Sequence, residues 1–350
     1  MQIPFRWDKY SDQPYPLKDK VYKKKMRKKY LGDYIPLFLI NMIMFPLSIL
    51  LIPFYKGKDI AKNAFYGLGV DLDKGEIQKE LVEELGVKYL LVRMPLWEMQ
   101  RIDAYVSFAK SFGEDKHILL NILQDREHID DRGLLKKDIE TIFEKFGSFV
   151  SEYQVGNAIN RTKWGFFSMD EYLKWYEVIQ KIRDEKYPTL KLIGSSVIDF
   201  EFHYTIRTLF NAFKVKYDKF SSLLYVDRRG SPYNKQMGVF DTANKINMLY
   251  ALTKLSSKTS DEIYITEVNW PLSNTAPYAP TSERECVSEE EYMEYMTAYH
   301  EIAWKTKKIE RIYWHQLIAS GYGLVDNREN RLRKTPAFEA YKRMIQHADT

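Results

Sequence analysis

The chain has 350 residues, 45% hydrophobic and 15% aromatic, with a formal net charge of +5. That length suits one large α/β barrel or two small domains, and the composition fits a globular protein with a substantial core. Residues 1–59 hold twelve Lys/Arg against five Asp, a local +7 that leaves −2 for residues 60–350. The basicity therefore belongs to the N-terminus and does not imply a nucleic-acid groove on the folded part. Cys286 is the single cysteine, which excludes an internal disulfide, and the six histidines lack metal-ligand spacing. Neither a metal site nor a cofactor is expected.

The first predicted unit is a basic tail, residues 1–33, in which KDKVYKKKMRKKY (18–30) concentrates the charge. Next comes YIPLFLINMIMFPLSILLIPFY, residues 34–55, without a charged side chain. Twenty-two residues at about 1.5 Å each span roughly 30 Å, the thickness of a hydrocarbon core. Lys and Arg clusters stay on the cytoplasmic side. The expectation is a single-pass helix in the inner (cytoplasmic) membrane, with the N-terminus cytoplasmic and residues 60–350 on the outer, periplasmic side. A cleaved signal peptide fits less well, because KGKDIAKNA is a poor cleavage site. A hairpin that dips into the bilayer and returns stays open, given Pro36, Pro46 and Pro53.

From residue 64 the pattern changes to short apolar strands alternating with amphipathic helices, as in βαβ units. Strands are predicted at 65–72, 87–97, 117–124, 150–157, 190–198, 220–227, 261–270 and 311–318. Helical stretches such as IQKELVEELG, MDEYLKWYEVIQKIRDE and EEEYMEYMTAYHEIAWKT separate them. Eight such pairs in about 290 residues predict a (β/α)8 TIM barrel over residues 60–350. A doubly wound dinucleotide fold would need a GxGxxG turn, and YGLGVDLD offers two glycines and no helix start.

Barrel chemistry sits at the C-terminal ends of the strands. Polar residues falling there include Asp71, Arg93, Asp125, Asn157, Asp199, Glu201, Tyr225, Asp227, Glu267 and His315, with Trp97 and Trp314 as aromatic companions. Trp164 and Tyr233 lie on longer loops and would offer stacking platforms for sugar rings.

Four segments resemble the clan of retaining glycosidases built on (β/α)8 barrels, nearest to the family of xylosidases, iduronidases and exopolysaccharide endoglycosidases. They are YITEVNWP, QVGNAINRTKWG, Arg93 on the second strand, and YWHQLI followed by GLVDN and RKTPAFEAYKRM. The resemblance implies that Glu267 is the nucleophile, tuned by Arg93 and Tyr225. It also implies that Asn157 bonds the sugar, and Trp97, Trp314, His315 and Asp227 are the further candidate sugar contacts. It breaks at one place, because Ala158 stands where the clan has its acid/base Glu. A retaining mechanism needs two carboxyl groups about 5–5.5 Å apart.

Glu201, Asp199 and Asp125 are the candidate substitute acids. The function expected is a membrane-anchored, glycoside-hydrolase-like protein acting on cell-envelope polysaccharide or lipopolysaccharide. The alternatives are a catalytically inactive glycan-binding or scaffold protein, and a glycosyltransferase using an activated donor. The expected partners are thus a polysaccharide or glycolipid, and a membrane through residues 34–55.

Overall fold

A computed structural model describes residues 5–328 and 331–348; positions 1–4 of the expected tail and 329, 330, 349 and 350 of the expected barrel lie outside the described residues. Eight parallel strands close into a barrel: β1 Tyr66–Val70, β2 Tyr89–Pro95, β3 His117–Leu123, β4 Glu152–Val155, β5 Lys191–Ile198, β6 Lys219–Leu223, β7 Ile263–Ile265 and β8 Arg311–Trp314. They pair in chain order and β8 returns to β1, with Ile312 opposite Tyr66. The fold is the (β/α)8 barrel that the alternating pattern implies.

Period-two alternation divides each strand between two environments. Leu91, Leu119, Ile193, Tyr264 and Tyr313 meet inside the ring, while their strand neighbours join the larger core beneath the outer helices. The Tyr313 ring fills so much of the interior that a Cβ on Gly67 would lie 2.7 Å from it. Glycine is the residue that β1 can offer there. At the N-terminal end, Lys219 ties Glu152 at 3.2 Å and Glu310 at 2.9 Å, so polar side chains close the floor. The open end is the other one.

The barrel helices begin and end where local chemistry dictates. Ser288 and Glu291 form a reciprocal capping box at the start of the helix Glu289–Thr306. Ser168 caps Met169–Lys186, Asp241 caps Thr242–Leu255, and Gly86 ends Ile77–Leu85 at φ 72°.

The N-terminal region packs onto this barrel. Helix α1, Lys20–Lys29, precedes α2, Tyr34–Leu51, and the segment Leu31–Phe54 is long and apolar enough to cross a membrane. One face of α2 rests on the barrel flank, where Phe45 stacks on Phe202 at 4.6 Å and Asn41 donates to the His203 carbonyl. The opposite face exposes Ile35, Phe38, Leu39, Met42, Ile43 and Leu50. Asp33, just before α2, pairs with buried Arg207 at 2.8 Å. Ahead of both helices, Trp7–Asp8 and Gln13–Pro14 form a small antiparallel hairpin. Its partners lie in the barrel mouth.

Candidate active site

β7 ends at Ile265, and two residues later Glu267 enters the C-terminal mouth of the barrel. Each of its carboxylate oxygens has its own donor. Tyr225, just beyond β6, donates its hydroxyl to Oε1 at 2.7 Å. Asn157, just beyond β4, directs its amide to Oε2 at 3.4 Å. Asn157 is itself fully buried and fixed by donors from Asn121 and Gln154. The result is a carboxylate that follows β7 and is held in one orientation by donors from just beyond β4 and β6.

The cavity beside Glu267 measures about 150 Å³ and is walled by residues from β2, from β5 to β8 and their loops, from the loop after β4 and from the N-terminal segment, including Arg93, Asp199, Arg229 and His315. Arg93 is buried, and its closest carboxylate is Asp71, at 3.5 Å. Glu267 forms no ion pair with Arg93 within 4.0 Å; it acts on the guanidinium only at longer range. Burial raises the Asp71 carboxyl above the usual carboxylate range, with Arg93 opposing that shift.

The roof is the N-terminal hairpin, which no barrel motif announces. Asp12 at its tip accepts from Gln316 and the Tyr322 hydroxyl, each at 3.2 Å, and pairs with Lys74 at 3.0 Å. Its backbone carbonyl accepts from Arg93 at 3.1 Å. Gln13 accepts from Lys163 at 2.6 Å and donates to the Pro280 carbonyl at 2.9 Å. Trp7 lies against Trp97 and Trp164, with ring centres 5.1 and 5.8 Å away. These three tryptophans line a second groove of about 290 Å³ next to the first.

His315 belongs to the cavity wall and stacks on Tyr322 at 5.4 Å. Burial pushes its imidazole down to about 4, and does the same to His300 in the packed layer behind β8. Both rings are therefore neutral in the folded protein at pH 6, whereas an unfolded histidine titrates near 6.5. The stability that this contributes is present above pH 6.5 and is lost as the pH falls towards 4. Each ring accounts for about 3 kcal/mol across that window. Melting temperature should fall steeply between pH 6.5 and 4.5, and less steeply in His300→Phe. Parallel curves for the two proteins would contradict this assignment.

No protein-family profile matches the chain, and no curated protein sequence does either. Solved structures do match. A β-glucosidase from Thermotoga maritima in complex with castanospermine superposes with a TM-score of 0.58 at 13% identity, covering 84% of this chain and 99% of that one. A GH2 β-galacturonidase from Eisenbergiella tayi bound to glycerol gives 0.55 at 13%, over 83% of this chain and 51% of that one. This chain has the fold of the barrel glycosidases.

On this barrel, the residues singled out from sequence divide into three groups. Glu267, Tyr225, Asn157, Arg93 and His315 come together around one cavity or touch its carboxylate. Trp97 lies next door, in the tryptophan groove, with Trp164 on the wall between the two. The remainder either lie away from the cavity or are engaged by other side chains.

Trp314 is fully buried, donates to the Tyr292 hydroxyl at 2.7 Å and stacks on Trp270, so it faces the outer helices and not a sugar. Strand alternation explains this, because Arg311 and Tyr313 take the inward positions of β8. Asp227 is exposed and lies off the cavity wall.

Of the substitute acids, Asp125 caps a helix by accepting from the His128 amide and lines the tryptophan groove. Glu201 is taken up by Asn160 and Arg161, each at 2.6 Å. Asp199 does line the cavity, but Arg161 and Arg229 occupy its two oxygens. Ala158 is fully buried in the apolar core at φ 46° and is not part of the cavity wall.

Sequence reasoning missed Asp12, Lys163, Arg229 and Tyr322. Arg229 alone carried a usable signal, since it follows Tyr225 by four residues at the end of β6.

Proposed function

We propose that this protein acts on a glycan of the cell envelope, polysaccharide or lipopolysaccharide, with Glu267 as nucleophile or charge stabiliser. The observation that carries the reading is a carboxylate fixed at the barrel mouth by Tyr225 and Asn157 on separate oxygens, beside a walled cavity. Such an arrangement suits attack on, or stabilisation of, an anomeric carbon that becomes positive in the transition state. Asn157 beside Glu267 would bond the sugar hydroxyl next to that carbon, and His315, a neutral imidazole, would bond another. Sugar release and sugar transfer from wild type and Glu267→Gln test it. Equal activity in both ends the catalytic assignment.

Ala158 and the engaged state of Asp199 favour a second reading, in which no free side-chain acid protonates a leaving group. A sugar carried on a phosphate leaves without one, so transfer from an activated donor fits, as does glycan binding without turnover. Transfer in the absence of polysaccharide hydrolysis distinguishes the first of these, and binding without either product the second.

We also propose that α2 seats the protein on a membrane. Its outer face presents a row of large apolar side chains, of a kind that marks contact with lipid or protein. α1 beside it has seven Lys/Arg in ten residues, suited to acidic headgroups. A full span with the N-terminus inside and the barrel outside would part the hairpin from the mouth it occupies; α2 lying along the barrel with its outer face in lipid keeps them together. The full chain should sediment with acidic vesicles, and salt should release part of it. Absence from both acidic and neutral vesicles would refute the proposal.

A further inference from the structure

The cations around the Glu267 cavity are not all matched. Arg93 has Asp71, and Arg161 has Asp199 and Glu201. Lys163 has no carboxylate within 4.0 Å among the described residues; its one hydrogen bond goes to the neutral Gln13 amide oxygen at 2.6 Å. It stands on the wall shared by the Glu267 cavity and the tryptophan groove. Burial pulls its ammonium down, and Glu267 is the largest influence restoring it.

Arg229, which lines the same cavity, lies 3.7 Å over the Tyr225 ring and spares one contact of 3.3 Å for Asp199. Its Nε is buried without an acceptor. Burying a cation without a counter-charge, or a donor without an acceptor, is costly unless something else supplies the partner. Sugar hydroxyls satisfy donors but leave the charge unmatched. An anion does both.

We propose that the sugar taken into this cavity carries an anionic substituent, a carboxylate or a phosphate, received by Lys163 and Arg229. The inference rests on the glycan reading above and narrows it to acidic sugars. Gln13 would act as the neutral stand-in that Lys163 gives up, or shares, when the acidic group arrives.

The test uses the full chain carrying Glu267→Gln, so that binding is measured without turnover. Calorimetric titrations compare glucuronate, galacturonate and glucose 6-phosphate with glucose and galactose. At least one acidic sugar is expected to bind about tenfold or more tightly than its neutral parent. Lys163→Met should bring that ratio close to one, whereas Lys163→Arg should keep most of it, which a merely structural role would not predict. The uronate and phosphate arms identify which anion the pair receives. Neutral sugars binding as tightly as acidic ones, with Lys163→Met unchanged, would overturn the anionic assignment and leave the sugar cavity standing. Failure of every sugar to bind would overturn both readings together.

Discussion

On the proposed glycan reading, turnover by Glu267→Gln is expected to fall by at least about 10²–10³-fold, the cost of removing one preorganised charge from a transition state. The substitution keeps the side chain's shape, so Tyr225 and Asn157 retain something to lie against, and stability should change little. What would go is the negative charge that the proposal sets opposite a carbon becoming positive, together with the oxygen able to bond to it. The size of the loss separates two roles. A fall of about 10²–10³ marks a charge stabiliser. One on the order of 10⁴ or beyond, with no intermediate trapped on the protein, marks a nucleophile.

Tyr225→Phe supplies an internal gauge, since it deletes the 2.7 Å bond to Oε1 and leaves the carboxylate in place. A hydrogen bond to a charged group contributes about 1.5–3 kcal/mol, so its loss should cost roughly ten- to a hundredfold. A Tyr225→Phe effect larger than that of Glu267→Gln would mean that the tyrosine, and not the glutamate, holds the reacting group.

How much of this was legible in the sequence follows from how local each signal is. The eight strands were readable because alternation within a strand and amphipathic spacing within a helix are short-range properties. The observed strands fall within or next to the expected segments, and β7 shrinks from ten residues to Ile263–Ile265 because TEVNW leaves the ladder to build the mouth. Glu267, Tyr225 and Asn157 were legible for the same reason, each sitting just past a strand end. Trp314 was misplaced by a single step of alternation, which sends a side chain to the opposite face of the sheet.

The hairpin was illegible for a different reason. Asp12 reaches Tyr322 across 310 positions of sequence, and SDQP carries no mark of that destination. The apolar run was readable as a helix, but its seat against Phe202 depends on a surface assembled only after the barrel closes. Nor does any pattern in NRTKW reveal that Lys163 has no carboxylate within 4.0 Å among the described residues, because that depends on what every other loop brings to the cavity.

Ala158→Glu is the second substitution with a large expected effect, and stability should report it before activity does. By the resemblance drawn from sequence, position 158 would hold the clan's acid/base carboxylate, so the change looks at first like a repair. Here, however, the alanine methyl is fully buried among the apolar core residues, at a left-handed φ of 46°, and the residue lies off the wall of the Glu267 cavity. A glutamate there must either bury a carboxylate without a partner or push the β4 loop outward. An uncompensated buried charge costs about 3–5 kcal/mol, and the added side-chain volume costs more. The expected result is a melting temperature on the order of 10 °C below wild type at pH 7, a deficit relative to wild type that narrows at pH 5 as the carboxyl takes up a proton, with no gain in glycan cleavage. Ala158→Gln, of similar volume and uncharged, should lose less at pH 7 and show no such recovery. If Ala158→Glu instead keeps its melting temperature and cleaves glycan where wild type does not, the β4 loop opens position 158 to the cavity, and the barrel lacks one carboxyl group for hydrolysis and nothing else.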